Sequence, residues 1–269
     1  MRKTSFSGKI IRAHAPLRSR DASGVPPRFP LAVRAEWHAM SEPAGAQGAA
    51  LPAWRRRTEG ERRWPAGLAI TVAAALQLAL PARLVMPPRY LLPALEMLLL
   101  AGLTAADPGR INRHEKHLRV AGIVLTAAVS IANIGSAARL VSELVRAGPV
   151  ADSPASLLLN GGSIYLTNII AFALLYWEID RGGPAARTHA IEYHPDFLFP
   201  QMTSPDMAPP EWEPVFADYL YTSFTNATAF SPTDVLPLSF HAKAAMALQS
   251  AVALATVALV ISRAINVLK

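Results

Sequence analysis

The most specific chemistry in this chain lies near its C-terminus, in a run of hydroxyl, amide and carboxylate side chains. Projecting 216–230 on a helix at 100° per residue gathers Asp218, Thr222, Thr225, Asn226 and Thr228 on one side. Leu220, Phe224 and Ala227 gather opposite. Pro232 breaks the helix, and Ser231, Thr233 and Asp234 surround the break. Uncharged oxygens with an occasional carboxylate suit the path of a monovalent cation, because they replace its hydration shell. The carbonyl end of the helix, near Ala229, adds partial negative charge. These eight polar residues form the expected pore-lining set. The alternative is that the same face packs on neighbouring helices, with Asp218 an interfacial acid and Asp234 a turn or cap residue.

Glu96 is the second candidate. It falls inside the apolar stretch 90–105, where a carboxylate is costly and by default suggests function. A position near the interface, or pairing with Arg83 or Arg89, is the expectation that competes with it. His114 and His117 stand at i, i+3, but HExxH is absent and no third ligand is evident, so they read as solvated loop residues. His189, Glu192 and His194 form a similarly isolated pattern. Cysteine is absent, which excludes disulfides, thiolate metal sites and cysteine nucleophiles. With no nucleophile–base pair, metal signature or phosphate-binding glycine loop, neither catalysis nor a cofactor is expected. A membrane enzyme or small-molecule transporter built on Glu96, Asp218 or the histidines is the least supported reading.

The elements that must position these residues are apolar. Of the 269 residues, 52% are apolar and 17% charged. That shortfall of charge, with long uncharged runs, points to a bilayer. The runs are 66–80 (extendable to 86, with Gln77 its one central polar residue), 90–105, 118–145, 157–177 and 240–260. Ser130, Asn133, Gly135 and Ser136 dilute the third, and Asn160, Gly161, Gly162 and Asn168 the fourth, as close helix packing in lipid requires. Arg139 and Glu143 are spaced to pair at i, i+4. Ser239 is placed to cap the last helix. The expected fold is all-α: a polytopic transmembrane bundle of five full spans plus one short polar-faced helix, re-entrant or a sixth span. Four regions follow: a tail 1–64, a four-helix region 65–177, a linker 178–213 and a C-terminal unit 214–269.

The tail is basic and reads as disordered. Residues 1–65 hold 13 Lys and Arg against 5 Asp and Glu, and the remainder 13 against 14. Aromatic stacking platforms are missing from it, so topology or anionic lipid, not nucleic acid, is the expected target. Met40 opens a short cytoplasmic leader and is the expected physiological start, with 1–39 dispensable or not made. Seven prolines in 178–214 forbid long helices there, and Phe197, Phe199 and Trp212 are expected to anchor that loop to the membrane surface or the bundle.

The stretch LYTSFTNATAFSPTDVLPLSFHAKAAMALQS resembles the pore helix, filter and inner-helix start of two-helix potassium channels. Thr228 matches a filter threonine, Asp234 the aspartate after the filter, and Pro237-Leu238-Ser239 the segment before the inner helix. The filter's glycine positions hold Ser231 and Thr233, and its tyrosine position holds Pro232. A potassium filter needs a glycine-permissive carbonyl ring, so the resemblance implies a pore loop without potassium selectivity, assembled from several copies. From about residue 64 onward, with YWEIDRGGPAAR and FLFPQM, the chain also resembles a family of uncharacterised bacterial multi-pass membrane proteins. That resemblance implies a bacterial inner-membrane location. The positive-inside rule places the N-terminal side in the cytoplasm. A loop entering after four spans then enters from the cytoplasm, opposite to a potassium-channel loop.

Overall fold

A computed structural model describes residues 51–146, 153–192, 194–229 and 234–267. The readings on 1–50, including the Met40 start, and on Ser231 and Thr233 lie outside the described residues. Eight helices make up most of the described chain. They are α1 (Trp64–Ala79), α2 (Leu91–Ala106), α3 (Lys116–Val145), α4 (Pro154–Ile179), α5 (Pro184–Thr188), α6 (Pro200–Thr203), α7 (Phe216–Ala229) and α8 (Phe240–Val267). Two short strands, β1 (Phe197–Leu198) and β2 (Leu236–Pro237), pair antiparallel, with Phe197 opposite Pro237.

Among the described residues three helices are long and apolar enough to cross a membrane: Lys116–Val145, Ala155–Gly182 and Phe240–Ile265. At 1.5 Å per residue a 20-residue helix covers the roughly 30 Å hydrocarbon core. α1 and α2 are apolar but shorter, at 16 residues each. Sequence sets these ends. Pro81 and the Pro87-Pro88 pair follow α1, and Ser239 Oγ accepts from Ala242 N at 3.2 Å to cap α8.

α4 is the hub, packing on α1, α3, α7 and α8, while α2 leans on α1 and α3. Its small residues permit this. A β-carbon on Gly161 would come within 2.7 Å of Val260 Cγ2, so only glycine lets α8 approach so closely. Outward surfaces are apolar: Leu68, Val72, Ile131, Leu159, Leu254 and Ile261 are all exposed. Asn133, Asn168, Thr222, Ser223, Asn226 and Gln249 are buried. Oily outside and polar inside is the pattern lipid contact selects and water contact penalises.

The bundle has a charged end and a plain end. Arg63 at the start of α1 donates to Asp107 after α2; Glu178 near the end of α4 sits against Gly122 near the start of α3. The plain end closes over Leu80, Leu84, Leu140, Leu144, Leu157 and Val260. Phe216, which opens α7, donates its backbone N–H to Glu61 at the charged end. β2, which follows α7, pairs with β1 at that same end, and Leu238 N donates to Asp196 O at 2.8 Å. Residues before and after α7 therefore meet at one end of the bundle.

The segments between apolar runs are packed. Trp54 is buried, and its carbonyl accepts from Arg181. Phe197 and Phe199 are buried against Tyr176 and Tyr219, and Trp212 meets Phe199 edge to face, so this aromatic group anchors to the bundle.

Candidate functional site

The face of α7 that turns inward is a stripe of Phe216, Tyr219, Thr222, Ser223, Asn226 and Ala227. It is set by α4 and α8, and it differs from the projected one. Ala227, projected opposite Asn226, is buried beside it, while Thr228, Tyr221 and Phe224 face outward. The reason is that Gln249 of α8 recruits amide and hydroxyl partners into the bundle. Gln249 Oε1 accepts from Asn226 Nδ2 at 2.8 Å and Tyr176 Oη at 2.5 Å. Gln249 Nε2 donates to Ser223 Oγ at 2.6 Å and Ser223 O at 3.0 Å. Asn226 Nδ2 also reaches Met246 O at 3.0 Å, and Ser223 Oγ donates to Ile169 O at 2.7 Å. Three helices are thus joined by one polar cluster inside the apolar packing, where each unmade bond costs most.

The other sequence-stretch candidates disperse. Asp218 accepts from Val215 N at 2.8 Å, which caps its own helix. Thr222, Thr225 and Thr228 donate to carbonyls one turn back in α7. Asp234 is exposed, with Tyr221 Oη donating to it at 3.4 Å. Of the six that are described, Asn226 alone joins the central cluster. Gln249, Ser223 and Tyr176 were not among the expected site residues. A glutamine amid an alanine-rich apolar helix was the available signal for the first.

Glu96 is fully buried, and its partner is neither Arg83 nor Arg89. Gln77 Nε2 of α1 donates to both carboxylate oxygens, at 2.9 and 3.1 Å. Arg89 donates instead to Leu78 O, and Arg139 to Val85 O, not to Glu143. His189 bonds Asn112 O and His117 faces Glu115. Among the described residues no group of three or more His, Asp or Glu is placed to hold a metal ion.

Charge concentrates at the other candidate, the end of the bundle where α1, α2, α3 and α4 meet. Asp180 Oδ1 accepts from Asp196 N and Phe197 N, and Asp180 Oδ2 from Tyr219 Oη at 2.6 Å. Arg187 donates to Trp177 O and Asp180 O and lies over the Tyr219 ring. Glu61 accepts from Trp177 Nε1 at 2.8 Å and from Phe216 N. Burial pushes the Glu61 carboxyl above its usual range, although these hydrogen bonds and Arg187 oppose it. At the same end a pocket of about 70 Å³ is lined by Arg63, Asp107, His114, Arg119 and Glu178 over Ile70, Leu103, Leu125 and Leu174. It is the concave feature with convergent polar groups that a binding site requires.

No family model matches the chain, and neither a curated protein nor a solved structure matches it.

Proposed function

We propose that the chain is an integral membrane protein crossing the bilayer five times, with α7 a re-entrant helix, and that it acts by binding and assembly within the membrane. The Gln249 cluster carries this reading. Of the α7 side chains an ion path would use, Asn226 is engaged with α4 and α8 inside one chain, and Thr222, Thr225 and Thr228 donate to carbonyls of α7 itself. The face of α7 left outward carries Tyr221 and Phe224 beside Thr228 and suits lipid or a partner helix. The alternation of helix ends between the charged and the plain end supports five crossings, with the chain after α7 back at the end from which α7 starts. The charged end carries Arg55, Arg56, Arg57, Arg62, Arg63, Arg110, Arg113, Lys116 and Arg119, against Arg83, Arg89, Arg139, Arg146 and Arg263 at the other. The positive-inside rule places it in the cytoplasm. A bacterial inner membrane is the location implied by the sequence resemblance.

The test is ion flux. Purified protein reconstituted into liposomes should leave monovalent-cation gradients intact; a protein-dependent leak abolished by Asp234→Asn overturns the reading. The second reading is a pore of several copies around α7. The return of α7 to its own end and the exposed Asp234 favour it. It requires a symmetric oligomer in mild detergent, and a monomer removes it.

A further inference from the structure

We infer that the pocket at the charged end and the groove beside it hold an aminophospholipid, a lipid whose headgroup carries a primary ammonium and a phosphate. The inference rests on the reading that this end lies at a bilayer surface. Glu178 lines the pocket and is 6% exposed, yet no described residue donates a hydrogen bond to its carboxylate or pairs with it. A buried carboxylate without such a partner is costly. Its cationic neighbours are Arg119, Arg187 and Arg63. Arg187 gives its Nη1 to two carbonyls, its Nη2 is buried without a hydrogen-bond partner, and it does not line the pocket; Arg63 is held by Asp107 at 3.2 Å. Arg119 lines the pocket beside Glu178. Its Nη1 lies 2.7 Å, and Glu178 Oε1 3.3 Å, from the point a β-carbon on Gly183 would occupy. The two charges are therefore within about 6 Å of each other without closing an ion pair. Gly122 and Gly183 keep the space around the acid clear.

A ligand that brings a cation to Glu178 and an anion to Arg119 satisfies both. The 70 Å³ of the pocket admits the few heavy atoms of a headgroup and no more. The chain has its own place. Arg63, Gly67 and Leu100 are shared with an open groove of about 470 Å³ that passes Thr71 and Thr104 between α1 and α2. Arg62 and Arg110 stand at this groove, and Trp64 beside them is an interfacial residue. An ammonium offers three N–H donors to Glu178. A quaternary choline offers none, and a glycerol headgroup brings no cation.

The experiment titrates the full chain in mild detergent with phosphatidylethanolamine, phosphatidylcholine and phosphatidylglycerol of matched chains, read by native mass spectrometry. Phosphatidylethanolamine should bind about tenfold more tightly than phosphatidylcholine, as one charge-assisted hydrogen bond implies. Glu178→Gln should level the two, and Arg119→Gln should weaken both. Gly122→Ala places a methyl against the carboxylate without removing charge and should lower the same preference, which keeps the test open if Glu178→Gln does not fold. Equal binding of the two lipids, tighter binding of phosphatidylglycerol, or an unchanged preference in Glu178→Gln and Gly122→Ala overturns the inference. Ion flux separates this from the proposed function. A lipid-selective protein that conducts keeps the site and loses that function, and an ion-tight protein without lipid preference does the reverse.

Discussion

Gln77 and Glu96 show how a carboxyl group is kept inside an apolar bundle without a cation. The amide nitrogen reaches both carboxylate oxygens, so the pair acts as a unit. Replacing Gln77 with leucine removes the donor and strands the acid; the loss should be about 2–3 kcal/mol. Gln77→Leu/Glu96→Leu should recover most of it, because both polar groups then leave together. A double-mutant cycle from denaturation in mild micelles measures this, and additive losses would show that the two groups are not coupled. Glu61 makes a different prediction, in pH. Its carboxyl is raised from the ordinary 4.5 by burial, so the folded protein holds that proton more tightly than the unfolded chain. Its contribution to stability is complete below the ordinary value and is lost as pH rises through the raised one. Glu61→Gln should therefore flatten the fall in melting temperature as pH rises from about 4.5 through that range. An identical slope in both proteins would mean that the Glu61 site is not desolvated as the contacts with Trp177 and Phe216 indicate.

α7 is where helical periodicity alone misleads. A polar stripe on an isolated helix reads as a wet face, because water is the usual partner of threonine and asparagine. In lipid the sign reverses, and Asn226 and Ser223 turn inward to Gln249 while Tyr221 and Phe224 turn out. Gln249→Leu should therefore cost about 1–3 kcal/mol, by leaving Asn226, Ser223 and Tyr176 with fewer partners in a dry site. Loss of protection at α7 amides in hydrogen exchange should accompany it, since α7 is held chiefly by α4 and α8. Retention of wild-type stability and protection would mean that apolar packing alone holds α7. The long apolar helices α3, α4 and α8 were legible because each is an unbroken hydrophobic run with small residues inside. The Ser239 cap was legible because its type and place are local. Glu178 was not legible, since its isolation depends on which arginines other contacts consume, and no local pattern encodes that. Nor was the Gln77 partner of Glu96, whose distance in sequence spans a turn and two helices.

The described residues from 51 onward form a bundle in which helix ends alternate, and among them α7 is the one long element that does not carry the chain to the opposite end. This fixes a topological prediction that an odd or an even number of crossings answers differently. With the charged end in the cytoplasm, residues before α1, in the linker and just after α7 share one side, and the end of α8 lies on the other. The chain contains no cysteine, so single substitutions can be labelled without background. Arg57→Cys, Glu211→Cys and Asp234→Cys are at exposed positions of the charged end and should resist a membrane-impermeant maleimide in intact cells. Arg83→Cys, exposed at the plain end, and Lys269→Cys, beyond the last described turn of α8, should react. A full crossing by α7 exchanges the outcomes at 234 and 269 and leaves those at 57, 83 and 211 unchanged. Inverted insertion of the entire bundle exchanges all five. The pair 234 and 269 therefore tests the re-entrant helix independently of which face the positive charges choose, and reaction at 234 together with protection at 269 and 211 would overturn it.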